Sequence, residues 1–283
     1  MQKKYLLICR LGLLALVFPA TWVHADEHLF GYARGAETLP QGHTDFYQFT
    51  TLRAGKDTGT YRGWDAETEV EYGFTDKLQA SLAVINHYFE THGVPDLDDG
   101  GQYRFGGLDV SAKYRFKSPF KDGYGLAVRP EIGFRRYDDV GGLLEHELAI
   151  GSTLIYQHNY FDDTLVFSAN AGFEFTWGKK PAEQYDHELL LDGLCGLSYR
   201  FAPGWFAGIE GRVHAEFPNF DLGTHEHTVV FSGPSLHYAA KRWWATASWV
   251  YQIWGNGVDE PIAHKTYAEE TRNEYRLKVG FNF

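Results

Sequence analysis

Cysteine is almost missing from this 283-residue chain, which has only Cys9 and Cys195. Cys9 falls in an N-terminal stretch read below as removable, so the mature chain keeps Cys195 alone and an internal disulfide is excluded. Only eight residues precede Cys9, too few for a lipoprotein signal. Long apolar runs are scarce as well. The one candidate, Leu6 to Phe18, is interrupted by Arg10 and falls short of the ~20 residues a spanning helix needs. Positive charge is in short supply. Removing residues 1–25 takes away Lys3, Lys4 and Arg10, leaving 23 basic against 37 acidic side chains, a formal charge of −14. That balance excludes nucleic acid and anionic headgroups as electrostatic partners. Nucleotide-cradling loops are missing too: Gly100-Gly101 and Gly141-Gly142 precede no helix, so no cofactor is expected.

What the chain does have is a secretory signal pattern followed by alternation. Basic Lys3-Lys4, the apolar run and the small-residue site Val23-His24-Ala25 give residues 1–25 as a signal peptide. Residues 26–42, including Leu29-Phe30-Gly31-Tyr32, show no sustained period and read as a periplasmic leading segment. The stretch from Trp64 to Phe74 then sets a pattern: even positions are aromatic, apolar or Thr, and odd ones are Asp65, Glu67, Glu69 and Glu71. Period two with one wet and one apolar face is a strand, and Thr75-Asp76-Lys77 turns it into a hairpin.

The pattern recurs across 43–283. Twelve strands are expected at about 43–53, 63–74, 77–90, 104–116, 124–137, 144–157, 164–177, 187–201, 205–217, 226–239, 243–253 and 272–283. Pro234 marks the tenth as bulged or short. Short connections alternate with longer ones rich in Gly, Asp and Pro. Aromatics collect beside the short turns: Tyr72, Phe74, Tyr114, Phe116, Tyr124, Tyr199, Phe201, Trp205, Trp243, Phe281 and Phe283. Aromatic residues make up 17% of the chain, and alternation hides their lipid face from an average hydropathy. The expected fold is therefore all-β: a transmembrane antiparallel up-and-down barrel with short periplasmic turns and long extracellular loops. Its expected place is a Gram-negative outer membrane, with outer-membrane lipid around it.

The polar faces give the candidate lumen. Asp65, Glu67, Glu69 and Glu71 share one wall, Lys113 and Arg115 another, Arg129 and Glu131 a third, Glu210 and Arg212 a fourth, and Arg276 and Lys278 a fifth. The acidic row acts either as a cation-attracting wall or as a salt-bridged plug. Ser235-Leu236-His237 puts a hydroxyl and an imidazole on one strand face, but no third group is evident to orient the base, so no catalytic residues are assigned and an enzyme is not expected. His225-Glu226-His227, near Asp221, has alternate histidines, yet the sequence supplies no remaining ligands and no metal is expected. In Glu145-His146-Glu147 the histidine opposes the two carboxylates. Cys195 alternates with Gly193 and Leu197 and is expected to face lipid.

The last residues, Phe281-Asn282-Phe283, resemble the C-terminal strand of bacterial outer-membrane proteins, which implies Phe283 as the signal read by the barrel-insertion machinery. The hairpin Tyr72-Gly73-Phe74-Thr75-Asp76-Lys77-Leu78, with Glu37-Thr38-Leu39-Pro40-Gln41-Gly42 upstream, resembles barrels related to the outer-membrane channels of the meta-pathway of phenol degradation. That resemblance is best over residues 29–89, and it implies no catalytic residues and no substrate. The expected function is a passive channel or uptake pore for a small-molecule solute. A closed barrel acting through its surface loops is the alternative, and a lipid-modifying enzyme is a third.

Overall fold

The computed structural model describes residues 28–95, 97–137, 140–179, 185–257 and 264–283. The signal peptide read over 1–25 lies outside the described residues. Twelve strands follow in chain order: β1 (Thr44–Ala54), β2 (Thr60–Thr75), β3 (Leu78–His92), β4 (Gly100–Lys117), β5 (Gly125–Tyr137), β6 (Leu144–Tyr160), β7 (Leu165–Lys179), β8 (Tyr185–Ala202), β9 (Trp205–Pro218), β10 (His227–Ala239), β11 (Trp243–Gly257) and β12 (Asn273–Asn282). Each pairs antiparallel with its sequence neighbours, and β1 pairs with β12 from Asp45↔Asn282 to Ala54↔Asn273, so the sheet closes on itself. Closure satisfies every ladder without an edge, which a bilayer demands because lipid offers backbone groups no partner.

The alternation sets the faces. Trp64, Val70, Tyr72 and Phe74 of β2 are exposed on the barrel exterior, while Asp65, Glu69 and Glu71 are buried. The same division holds on β9 and β12: Ile209 and Leu277 point outward, and Glu210 and Lys278 are buried. Every aromatic expected beside the short turns is exposed. Tyr72 and Phe74, and Tyr114 and Phe116, meet edge-on at 4.9 and 5.1 Å along one rim. Cys195 is exposed, on the outward face.

β10 runs its full length despite Pro234. Its pairing with β9 is unbroken, whereas pairing with β11 shifts between Val230 and Phe231 and skips Gly233 and Pro234. A residue with no N–H is tolerated where one ladder is already interrupted.

The leading segment differs from expectation in its place. Its described part, His28 to Gly42, does not hang below the barrel; it enters the bore at the short-turn end, and Leu29, Phe30, Tyr32, Ala33 and Ala36 are all buried. Apolar side chains without strand period have no lipid face to occupy, and the interior is where they leave water, each large one contributing about 1.5–3 kcal/mol. Gly73 marks the exit. A Cβ there would lie 2.2 Å from the Pro40 carbonyl oxygen. Gly73→Ala is therefore expected to push the segment off this turn and to lower barrel stability by about 1–3 kcal/mol, measured as a urea midpoint in detergent.

Candidate functional site

The bore has two halves of different character. In the short-turn half, side chains from strands all around the wall hold the backbone of the leading segment. Glu210 of β9 accepts the N–H groups of Gly31, Tyr32 and Ala33 at 3.0, 2.8 and 3.4 Å. Asn170 of β7 accepts from Arg34 N–H at 2.7 Å, and Gln157 of β6 from Ala36 N–H at 2.8 Å. From β12, Lys278 Nζ donates to the Phe30 carbonyl at 3.1 Å and Arg276 Nη1 to that of Gly31 at 3.3 Å. Arg115 pairs with Glu37. A bent segment that joins no ladder needs such partners, because unpaired buried amides are costly.

Tyr32 is the centre of this arrangement. Its hydroxyl donates to Glu274, and its ring stacks with two guanidinium groups, Arg276 at 4.0 Å and Arg212 at 4.9 Å. Arg212 also donates to Glu274 at 2.9 Å and lies over the Phe231 ring. Gly31 has no room for a side chain, since a Cβ would come within 2.0 Å of Ser248 Oγ.

A polar lumen throughout was the expectation, and this half departs from it. Tyr47, Phe49, Phe206, Phe231 and Trp244 are buried on the inner face. His28 stacks on Trp244 with ring centroids 4.6 Å apart and tilts against Tyr47 at 4.5 Å. The apolar leading segment needs apolar partners, and these strands supply them. One sequence signal did exist: adjacent Trp243-Trp244 break the alternation, so one must face inward.

All twelve candidate lumen residues lie on the inner face, but the two halves divide them. Glu69, Glu71, Lys113, Arg115, Glu210 and Lys278 are buried around the segment. Glu71 accepts from Gln79 Nε2 at 2.7 Å, and Glu69 lies 3.7 Å from Arg129, which also pairs with Glu131. Asp65 is offset by Arg53 at 3.0 Å and hydrogen-bonds with His87 at 2.7 Å. Arginines of β1 and β5 thus offset the acidic row along part of its length. Phe283 is exposed at the chain end.

The long-loop half is a vestibule of about 850 Å³, lined by residues that include Glu67, Asp109, Glu145, Glu147, Glu188, Glu226, Arg212 and Arg276; the last two also hold the segment. Carboxylates outnumber Lys and Arg on this lining. Arg135 offsets several of them, donating to Glu147 at 3.1 Å and to Glu174 at 2.7 Å. On the loop between β11 and β12, burial alone would raise the Glu270 carboxyl, but the adjoining imidazole of His227, with His214 and Arg212, outweighs it and holds the group at about 2. Glu226, just ahead of β10, is pushed upward by burial and by Glu216. Sequence reasoning missed Glu216, Glu270 and His214 as neighbours, because they belong to separate elements.

Ser235 and His237 do not form a charge-relay pair. His237 Nδ1 meets the Thr246 hydroxyl at 2.7 Å, not a carboxylate, and that hydroxyl donates in turn to the His28 carbonyl. His146 is exposed, opposite Glu145 and Glu147 on the vestibule wall.

A closed twelve-stranded antiparallel barrel with an apolar exterior, aromatic rims and a polar vestibule has the fold of outer-membrane β-barrels. Solved structures share this fold. The COG4313 outer membrane channel from Pseudomonas putida F1 superposes with a TM-score of 0.62 at 11% identity, covering 88% of this chain and 98% of that one. The NanC porin gives 0.53 at 12% identity over 84% and 100%, and the translocator domain of the autotransporter NalP from Neisseria meningitidis 0.51 at 11% over 88% and 91%. The chain belongs to the family of unknown function DUF6662, which it matches over residues 22–283. No curated protein matches it in sequence.

Proposed function

We propose that this protein is an outer-membrane channel for small cationic or polar solutes, closed at its periplasmic end by its own leading segment. The observation that carries the reading is the pairing of an open acidic vestibule with a segment held by side chains rather than by a ladder. Such a segment can leave without breaking the barrel wall. In this reading the signal peptide over 1–25 directs export and is cleaved, the long loops face outward, and Phe283 is read during insertion. Kinship with the meta-pathway phenol-degradation channels is supported by the 72–78 hairpin and by the fold shared with the P. putida channel; it transfers no substrate. Solutes enter by diffusion, and carboxylates gathered in a wall of low dielectric attract cations.

A planar bilayer tests it. Barrels lacking the leading segment should conduct with cation preference, and Glu67→Gln with Glu188→Gln and Glu226→Gln should shift the reversal potential toward zero in a salt gradient. Anion preference in the unsubstituted barrel sinks the cation reading. The same leading segment also favours the second reading, a permanently closed barrel acting through its loops, and an inserted barrel that stays silent after the deletion would establish it.

A further inference from the structure

The vestibule wall brings together groups that the chain keeps far apart. His214 and Glu216 come from β9, His227 from the first position of β10, Glu226 from just before it, and Glu270 from the loop ahead of β12. His214, His227 and Glu270 offer three ligand atoms within 4.8 Å of one another, and Glu216, Glu226 and His227 offer an overlapping three. We propose that this cluster is a binding site for a divalent transition-metal ion of the zinc type, with His214, His227 and Glu270 as its three protein ligands. The site goes beyond the channel reading and stands whether or not the bore conducts.

Three observations carry it. First, His227 is only 3% exposed, yet neither ring nitrogen has a hydrogen-bond partner. Its Nδ1 stands 3.7 Å from Glu216 and its Nε2 3.9 Å from Glu270. A buried imidazole normally finds a partner for at least one nitrogen, and the gap at Nε2, too long for a hydrogen bond, has the Glu270 carboxylate on its far side. Second, the donor set is mixed. Two imidazoles and carboxylates suit zinc and its neighbours, whereas calcium and magnesium take oxygen ligands. Third, the outer support of a metal-binding histidine is already present. His214 Nδ1 meets Asp192 Oδ1 at 2.9 Å, which fixes the ring orientation and turns Nε2 toward the cluster. A carboxylate behind a ligating histidine is the recurrent arrangement of zinc sites.

Without an ion, His214 Nε2 lies 2.8 Å from Glu216 Oε1. An ion bound at Nε2 takes the place of any proton there, which leaves to solvent, and a water supplies the fourth donor. Zinc bonds of ~2.0–2.2 Å set tetrahedral donors about 3.4 Å apart, so the groups must draw in by about an ångström. Glu270, on a loop, supplies much of that movement.

The test is equilibrium dialysis of untagged, detergent-refolded barrel against zinc chloride, with bound zinc measured by mass spectrometry. The expected result is one ion per barrel. His227→Ala should weaken binding at least a hundredfold, and Glu270→Gln, which touches no ladder, about tenfold. Asp192→Asn removes no ligand and should still cost about 10–100-fold, because the support of His214 is lost. His225→Ala, whose Nε2 meets Thr228 at 2.7 Å outside the cluster, should change nothing. A heat-modifiability gel confirms that each variant is folded. Absence of bound zinc in the unsubstituted barrel overturns the proposal. So does unchanged affinity in both His227→Ala and Asp192→Asn, or displacement of zinc by equimolar calcium, since either result means general attraction to an acidic wall.

Discussion

Refolded barrel lacking residues 26–38 should conduct in planar bilayers, in discrete steps at least tenfold larger than those of the full mature chain. The leading segment shields the inner face of the short-turn half: Glu69, His237, Thr246, Gln157 and Ser168 are all buried with it in place. None of its backbone groups between His28 and Leu39 takes part in a strand ladder, so the twelve pairings survive its loss. The side chains it leaves behind include Glu210, Asn170, Gln157, Arg276 and Lys278, which water can serve equally well. Trp244 and Tyr47 lose apolar cover at the same time, at a cost of about 1.5–3 kcal/mol for each large partner removed, so a lower thermal midpoint should accompany the larger conductance. Equal step sizes with and without the segment would show that a different element closes the bore.

A single carboxylate controls the same equilibrium. Glu210→Ala removes the acceptor of three successive backbone N–H groups, and hydrogen bonds to a charged group contribute about 1.5–3 kcal/mol each. Because the donors become unsatisfied in a buried place, docking of the segment should weaken by about 3–5 kcal/mol. At about 1.4 kcal/mol per tenfold change, the open fraction rises by about two to three and a half orders of magnitude. Trypsin reports it directly: the bond after Arg34 lies inside the bore and is cut only when the segment leaves. Fast cleavage in Glu210→Ala, slow cleavage in the unsubstituted barrel and an intermediate rate in Glu210→Gln are the expected order. Equal rates in all three would remove Glu210 as the anchor.

Much of the barrel is legible in the chain because a strand has a period of two and lipid rewards it. Trp64 through Phe74 alternate, and each odd acid duly faces inward. The tight turn at Asp76-Lys77 needs only local chemistry. The interior is less legible. Tyr47-Gln48-Phe49 and Trp243-Trp244 place aromatics where the alternation calls for polar groups, and only the segment that packs on them explains why. Leu29-Phe30-Gly31-Tyr32 shows the complementary difficulty: apolar residues without a period announce burial but give no address. In Ser235-Leu236-His237 the sequence offers a suggestive pair that Thr246, nine residues beyond His237, turns into a structural hydrogen bond.

Strand number, the face turned to lipid, the aromatic rims and the acidic bias of the interior were determined by the sequence alone, since each depends on neighbours one or two residues apart. The seating of the leading segment inside the barrel, the anchoring of Gly31 to Ala33 on Glu210, and the meeting of His214, His227 and Glu270 were decided only by the tertiary structure. Those contacts join residues up to 248 positions apart, and they exist because the β1–β12 pairing closes the sheet into a ring whose inner faces meet one another.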